Sequence, residues 1–143
     1  MIVAIVIGLS SLLYTNKLVS NLSVEERKKV QLWAEATKQL ANAQGTADLS
    51  FVLKVIIDNK TVPVILADSN DKVLSFVNLD SAKAENPEYL IQELEAMKME
   101  HDPIKVTIGD NYYQNIYYKD STLLTQLKYF PWVQLGVISL FIL

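Results

Sequence analysis

The sequence predicts an α+β domain, in which helices pack on a small antiparallel sheet, flanked by two truncated transmembrane helices. Three observations support this. All 13 Lys and Arg residues and all 16 Asp and Glu residues lie between Lys17 and Lys128, which leaves both ends uncharged. Between the ends, segments with helical spacing alternate with short segments rich in Val, Ile and Tyr that turn residues bound. Only four Gly and four Pro occur, so one compact central unit without a flexible linker is expected.

The two uncharged ends predict membrane spans. Residues 1–14 and 129–143 are apolar, and each run is shorter than the roughly 20 residues that cross a bilayer core. We expect each to be a span truncated at its outer end, with an extracytoplasmic domain at 15–128. Tyr14 and Trp132 lie at the borders, where aromatic rings gather in membranes. A signal-peptide core, buried helices of a soluble domain and the arbitrary end of a soluble chain are the alternatives.

A long helix is predicted after the first span. From Asn16 to Ala43, apolar residues recur at three- and four-residue steps. Ser23 and Glu26 have the spacing of a capping box, which would begin a helix at Val24. Alternatively, the helix of the span continues without a break and Ser23 is only a surface residue. Gly45 is a natural end for this helix.

Two or three strands before the second helix and two after it are predicted from runs of β-branched and aromatic residues between turn signals. Ser69-Asn70-Asp71 and Gly109-Asp110-Asn111 each indicate a hairpin. The strands are "FVLKVIID" (51–58), "VPVILAD" (62–68), "KVLSFVNL" (72–79), "IKVTI" (104–108) and "YYQNIYY" (112–118).

Two further helices follow from capping signals. Asn86 is a suitable N-cap, and Pro87 and Glu88 suit the first turn of a helix that Asp102-Pro103 ends. Its apolar stripe is Leu90, Ile91, Leu94 and Met97. Ser121 is expected to cap a last helix, which runs into the C-terminal span.

The sequence offers no catalytic or metal-binding motif. With one His and no Cys, we expect neither zinc nor any other cofactor. Asp68, Asn70 and Asp71 lack the spacing of an EF-hand and fit a turn better. His101 follows a helix and is interpreted as a helix-end residue. A net charge of −3 without a basic patch argues against nucleic acid.

Four tyrosines at 112, 113, 117 and 118 form the most distinctive cluster. Alternation along a strand places Tyr113, Asn115 and Tyr117 on one face. These three residues are the candidate ligand-binding residues, since aromatic walls with a few polar groups form small-molecule pockets. Plain sheet packing and a dimer face are the other interpretations of the cluster.

The order of segments resembles the extracytoplasmic sensor region of membrane-bound bacterial histidine kinases, particularly the Bacteroidetes type. The segments that resemble it are "NLSVEERKKVQLWAEATKQL", "VPVILADSNDKVLSFVNLD" and "IYYKDSTLLTQLKYFPWVQLGVISLFIL". The strand–turn–strand piece resembles PAS-like sheets. The resemblance covers essentially the whole chain but includes no signature motif.

The resemblance implies a two-component signalling protein of the bacterial inner membrane. Because a long folded insert between the first two spans is more often exported, we expect 15–128 in the periplasm. The resemblance also implies a homodimer, whose helical interface would use Leu18, Leu22, Trp33 and Leu40. His101 does not match the phosphoacceptor, so no catalytic residue is expected in this chain and the kinase would lie beyond Leu143.

The expected function is therefore that of a signal-input domain. It would respond to a small-molecule or protein stimulus and relay it through paired membrane helices. The alternative is a membrane-anchored envelope scaffold or assembly protein that binds a protein partner.

Overall fold

A computed structural model describes residues 1–43, 55 and 58–142, and these residues form an α+β fold. The described helices are α1 (Ile2–Asn42), α2 (Pro87–Glu100) and α3 (Thr122–Ile142), with a short 3-10 turn at Lys83–Glu85. The strands are β1 (Val64–Asp68), β2 (Val73–Val77), β3 (Ile104–Ile108) and β4 (Tyr112–Tyr118).

The four strands form one antiparallel sheet in the order β2-β1-β4-β3. Two hairpins, β1–β2 and β3–β4, meet through the pairing of β1 with β4. In the first turn, one carboxylate oxygen of Asp68 accepts hydrogen bonds from the backbone N–H groups of Asn70 and Lys72, at 2.8 and 2.9 Å. In the second, Gly109 has a φ of 63°, a conformation that glycine adopts without strain. Both predicted hairpins are confirmed.

The chain forms two compact units. The sheet unit is Arg27–Lys119, and the helix-pair unit combines Met1–Glu26 with Asp120–Leu143. Helix α1 contributes residues to both.

In the sheet unit, a hydrophobic cluster lies on each face of the sheet. One cluster joins Val30, Trp33 and Ala34 of α1 to Val62, Val64, Val106, Ile116 and Tyr118. The other joins Leu94 and Met97 of α2 to Ile65, Ala67 and Tyr117. Successive residues of β1 therefore point into different clusters, which explains why this strand is a continuous apolar run instead of an alternating one.

In the helix-pair unit, α1 and α3 pack antiparallel. A Cβ placed on Gly8 would lie 3.1 Å from Cδ1 of Ile138, and the Ser11 hydroxyl donates a hydrogen bond to Oε1 of Gln134 at 3.1 Å. Residue numbers rise along α1 as they fall along α3. A small residue and an interhelical hydrogen bond are features that bring helices together in an apolar medium.

One of the described helices, α1, is long and apolar enough to cross a membrane by length and composition. Its most apolar stretch of 18 residues has a mean hydropathy of 1.8, and 11% of that stretch is buried. Low burial is unlike the core helix of a soluble domain, whereas a signal sequence would share the same composition. Helix α1 is therefore a candidate span, and the second span at 129–143 stays a prediction.

The predicted capping box at Ser23 and Glu26 is wrong. Helix α1 is continuous from Ile2 to Asn42, as the alternative had it. In an unbroken helix the N–H groups near Val24 bond to preceding carbonyls, so no unpaired donors remain to be capped.

The other helix signals agree with the structure, except where they lie outside the described residues. Asn86 accepts a hydrogen bond from the N–H of Glu88 at 3.0 Å, and Ser121 Oγ accepts one from the N–H of Leu124 at 3.2 Å. Gly45 lies outside the described residues, as does most of the predicted strand 51–58. Of that strand, Val55 and Asp58 are described, and both are helical.

We expect Ile65→Ala to lower the free energy of unfolding by about 2–5 kcal/mol. Ile65 of β1 is fully buried between the sheet and α2, so its truncation leaves a cavity. Ile91→Ala is the matched control: Ile91 is 57% exposed on α2, so the change should stay within about 0.5 kcal/mol. Urea unfolding of the detergent-solubilised chain measures both. Equal losses would contradict this assignment of the core.

Candidate functional site

The candidate site is the sheet face on which Tyr113, Asn115 and Tyr117 of β4 lie. Strand alternation places the three side chains on one face, as the sequence predicted. Their partners on the neighbouring strands point to the same face, since directly paired residues share a side. These partners are Thr107 and Lys105 on β3, and Ala67 and Ile65 on β1.

Half of this face is closed by α2. Tyr117 is 5% exposed and packs with Ile65, Ala67, Leu94 and Met97. Its ring is therefore part of the hydrophobic core, as the sheet-packing interpretation of the tyrosines had it. Only its hydroxyl is left for polar chemistry.

The Tyr117 hydroxyl is hydrogen-bonded to a network of charged side chains. It donates a hydrogen bond to Oδ1 of Asp71 at 2.6 Å. Lys98 Nζ lies 2.8 Å from the other oxygen of Asp71 and 2.8 Å from Oε1 of Glu95. Lys98 Nζ also lies 5.8 Å from the centroid of the Tyr117 ring. The network connects the β1–β2 turn, α2 and β4.

The contacts of this network shift the pKa values of its members. The hydrogen bond from Lys98, followed by that from Tyr117, holds the pKa of Asp71 below its ordinary value. The hydrogen bond to Asp71 raises the pKa of Lys98. Burial, aided by the hydrogen bond to Asp71, raises the pKa of Tyr117 to about 12, against a side-chain hydrogen bond with Asn115 that acts to lower it. At neutral pH Asp71 is thus a carboxylate, Lys98 an ammonium and Tyr117 a neutral phenol.

The other half of the face is open, and we call it the polar strip: Lys105, Thr107, Tyr113 and Asn115. Lys105 and Thr107 are exposed, and Tyr113 and Asn115 are half-buried. Lys105 Nζ lies 3.8 Å from the centroid of the Tyr113 ring, a cation–π contact. The strip offers an ammonium, an amide, two hydroxyls and one aromatic ring, which suit binding of a polar molecule.

The predicted dimer residues lie in different environments. Leu18 and Leu22 are half-buried in the helix-pair unit, and Leu40 is 37% exposed near the end of α1. Trp33 is 5% exposed and belongs to the core of the sheet unit, so it has the least surface to offer a partner. The dimer interface stays a prediction.

A second cluster, around Tyr118, was missed from the sequence. The rings of His101 and Tyr118 are stacked, with centroids 4.3 Å apart and planes 6° apart. Arg27 donates hydrogen bonds to the Tyr118 hydroxyl at 3.3 Å and to the Asp102 carbonyl at 2.9 Å. His101 is the C-cap residue of α2, as predicted for a helix end. No local pattern indicates this cluster, because Arg27 and Tyr118 are 91 positions apart.

Comparisons of the chain with protein-family models, with curated proteins and with solved structures found no match. The likeness to sensor histidine kinases therefore remains an expectation from the sequence.

We expect the network around Tyr117 to make stability fall at both ends of the pH range. Tyr117 keeps its proton more tightly in the folded chain, so its contribution is complete below pH about 10 and is lost as the pH rises toward about 12. The contribution of Lys98 is also lost on the alkaline side. Asp71 has the opposite sign: its contribution is present above pH about 4 and is lost as the pH falls.

The measurement is the melting temperature as a function of pH for the wild type and for Tyr117→Phe. The difference between their phenolate absorbance curves should titrate near pH 12, with circular dichroism on the same samples to verify folding. Tyr112→Phe is the control, since Tyr112 is exposed at the start of β4. A midpoint near the ordinary value of 10 in folded protein would show that Tyr117 is not buried against Asp71.

Proposed function

We propose that this chain is the signal-input part of a membrane-bound receptor. The proposal is carried by one observation: α1 is a single helix that bears the uncharged residues 1–14 at one end and the core residues Val30, Trp33 and Ala34 at the other. A change in how the sheet packs on these core residues acts directly on the helix that would cross the membrane.

The second connection runs through β4. This strand carries Tyr113, Asn115 and Tyr117, and only Lys119, Asp120 and Ser121 separate it from α3. A ligand that shifts β4 would therefore act on α3 through a very short connection. Helix α3 is in this way connected by three residues to the strand that carries the candidate site.

A stimulus acts only if it binds two arrangements of the domain with different affinity. We place its binding on the polar strip, where Lys105 and Asn115 are paired across β3 and β4. The ammonium, the amide and the hydroxyls favour a small polar molecule that carries hydrogen-bond acceptors such as carboxylate oxygens.

The finer part of the proposal is drawn from the sequence resemblance. The receptor would be a histidine kinase of the bacterial inner membrane, with the sheet unit as a PAS-like periplasmic domain and the kinase in another part of the protein. It would act as a homodimer, as two-component receptors do. The chain itself would supply input and transmission without catalysis.

The second candidate is an envelope scaffold that binds a protein partner. Its candidate contacts would be large apolar side chains on the surface of the sheet unit: Met99 is 90% exposed, and Leu74 and Ile91 are also exposed. Exposed apolar side chains that lie close together mark protein interaction sites, whereas scattered ones do not.

A thermal-shift screen of the full chain in detergent separates these candidates. The panel contains short dicarboxylates, amino acids, and mono- and disaccharides. We expect at least one compound to raise the melting temperature of the wild type, since ligand binding stabilises the folded state by mass action. Asn115→Leu should abolish that shift, because it removes the amide of the strip.

The matched controls keep this test specific. Lys105→Met should weaken binding of any anionic hit, whereas Lys83→Met, an exposed lysine on the 3-10 turn, should leave it unchanged. If a compound raises the melting temperature of Asn115→Leu as much as that of the wild type, its binding site lies outside the polar strip. No hit, together with tight capture of one identified envelope protein, would favour the scaffold.

The membrane placement has its own test. The chain contains no Cys, so Lys83→Cys introduces a single thiol on the surface of the sheet unit. We expect a membrane-impermeant maleimide to label intact bacteria as fully as lysed ones, and the protein to fractionate with the inner membrane. Labelling only after lysis would put the sheet unit in the cytoplasm.

A further inference from the structure

A buried carboxylate of α1 lies at the first turn of α3. Glu26 is 8% exposed, and its Oε2 accepts a hydrogen bond from the backbone N–H of Ser121 at 3.0 Å. Its Oε1 accepts a second hydrogen bond from the Ser121 hydroxyl. The Ser121 oxygen in turn accepts from the N–H of Leu124 at 3.2 Å. All of these groups belong to the helix-pair unit.

These contacts form the hydrogen-bond pattern of a capping box whose residues come from two helices. In a capping box, the N-cap Ser accepts from the N–H of residue N3, and a Glu at N3 accepts from the N–H of the N-cap. In α3 the N-cap is Ser121 and N3 is Leu124, which has no carboxylate. The missing carboxylate is supplied by Glu26 of α1, and its charge also suits the positive end of the α3 dipole.

We propose that Glu26 is a trans cap, which fixes the start of α3 and its register along α1. The register is the same at the other contacts of the pair, Ser11 with Gln134 and Gly8 with Ile138. A slide by one residue, about 1.5 Å, would break the bonds at Glu26 and leave a buried carboxylate unpaired. The helix pair therefore has one engaged register, in which Glu26 is bonded to Ser121. In any other register these hydrogen bonds are lost.

The trans cap would be the transmission element of the proposed receptor, and its meaning for signalling rests on that proposed function. A stimulus would change output by favouring the engaged or the disengaged state of the trans cap. The geometry of the cap itself is independent of any stimulus, so it can be tested on the chain alone.

The first measurement is amide hydrogen exchange of the full chain in detergent micelles. Glu26→Ala should speed exchange at Ser121 and Leu124 by about tenfold to a hundredfold, while β1 and β4 amides keep their protection. Glu25→Ala, the same change at the adjacent exposed position, should leave the first turn of α3 unchanged. Unchanged exchange at Ser121 in Glu26→Ala would overturn the proposal.

The second measurement reports the register. A Ser11→Cys, Gln134→Cys double variant should form an intramolecular disulfide efficiently, and a Ser11→Cys, Phe130→Cys variant, one turn away, should not. Adding Glu26→Ala should lower the first yield and raise off-register yields. Disulfide yields that do not change with Glu26→Ala would show that the trans cap does not set the register.

Milder variants cover the case in which Glu26→Ala does not fold. Glu26→Gln keeps the volume and one acceptor, and Ser121→Ala removes the hydroxyl while keeping the backbone donor, so each should give a smaller increase in exchange than Glu26→Ala. Because neither measurement uses a ligand, absence of any ligand would refute the proposed sensing and leave the trans cap intact. Loss of the trans cap would leave the ligand screen valid.

Discussion

The pairing of β1 with β4 is the contact on which the rest of the sheet unit depends. Val64–Asp68 lies against Tyr118–Gln114 and joins two hairpins that are separate in the sequence. Because β1 then has a strand on each side and a helix over each face, its residues Val64, Ile65 and Ala67 are completely buried. Removing this pairing would leave two isolated hairpins, which are marginally stable in water.

The same pairing decides what each tyrosine of β4 does. Tyr118 points to the α1 face, where it stacks on His101 and accepts from Arg27. Tyr117 points to the α2 face, where its hydroxyl meets Asp71. Tyr113 lies on the α2 face as well, but at the open end beside Lys105. The adjacent Tyr117 and Tyr118 thus belong to the hydrophobic clusters on opposite faces of the sheet. The polar strip lies on the α2 face, beyond the residues that pack against α2.

The two units use polar contacts differently. In the sheet unit, Asp71, Lys98 and Tyr117 join elements at the edge of a hydrophobic cluster, where solvent weakens each charge interaction. In the helix-pair unit, the Glu26 carboxylate is buried, so its two hydrogen bonds to Ser121 are required to offset desolvation. A buried polar contact specifies one register more strongly than apolar side chains do, because a displaced partner leaves an unpaired charge. Such a contact suits transmission between helices.

Local chemistry in the sequence was enough to determine the hairpin turns, the caps at Asn86 and Ser121, the uncharged ends and the shared face of Tyr113, Asn115 and Tyr117. These features depend on residues a few positions apart, whose preferences act before any tertiary contact forms. The partners of Glu26, Asp71 and Arg27 were decided only by the tertiary structure, since they lie 95, 46 and 91 positions away. Ser23 and Glu26 show the difference. Their spacing fits a capping box, but α1 is unbroken and leaves no N–H donors to be capped there. Because α1 packs against α3, the Glu26 carboxylate accepts hydrogen bonds from Ser121 instead.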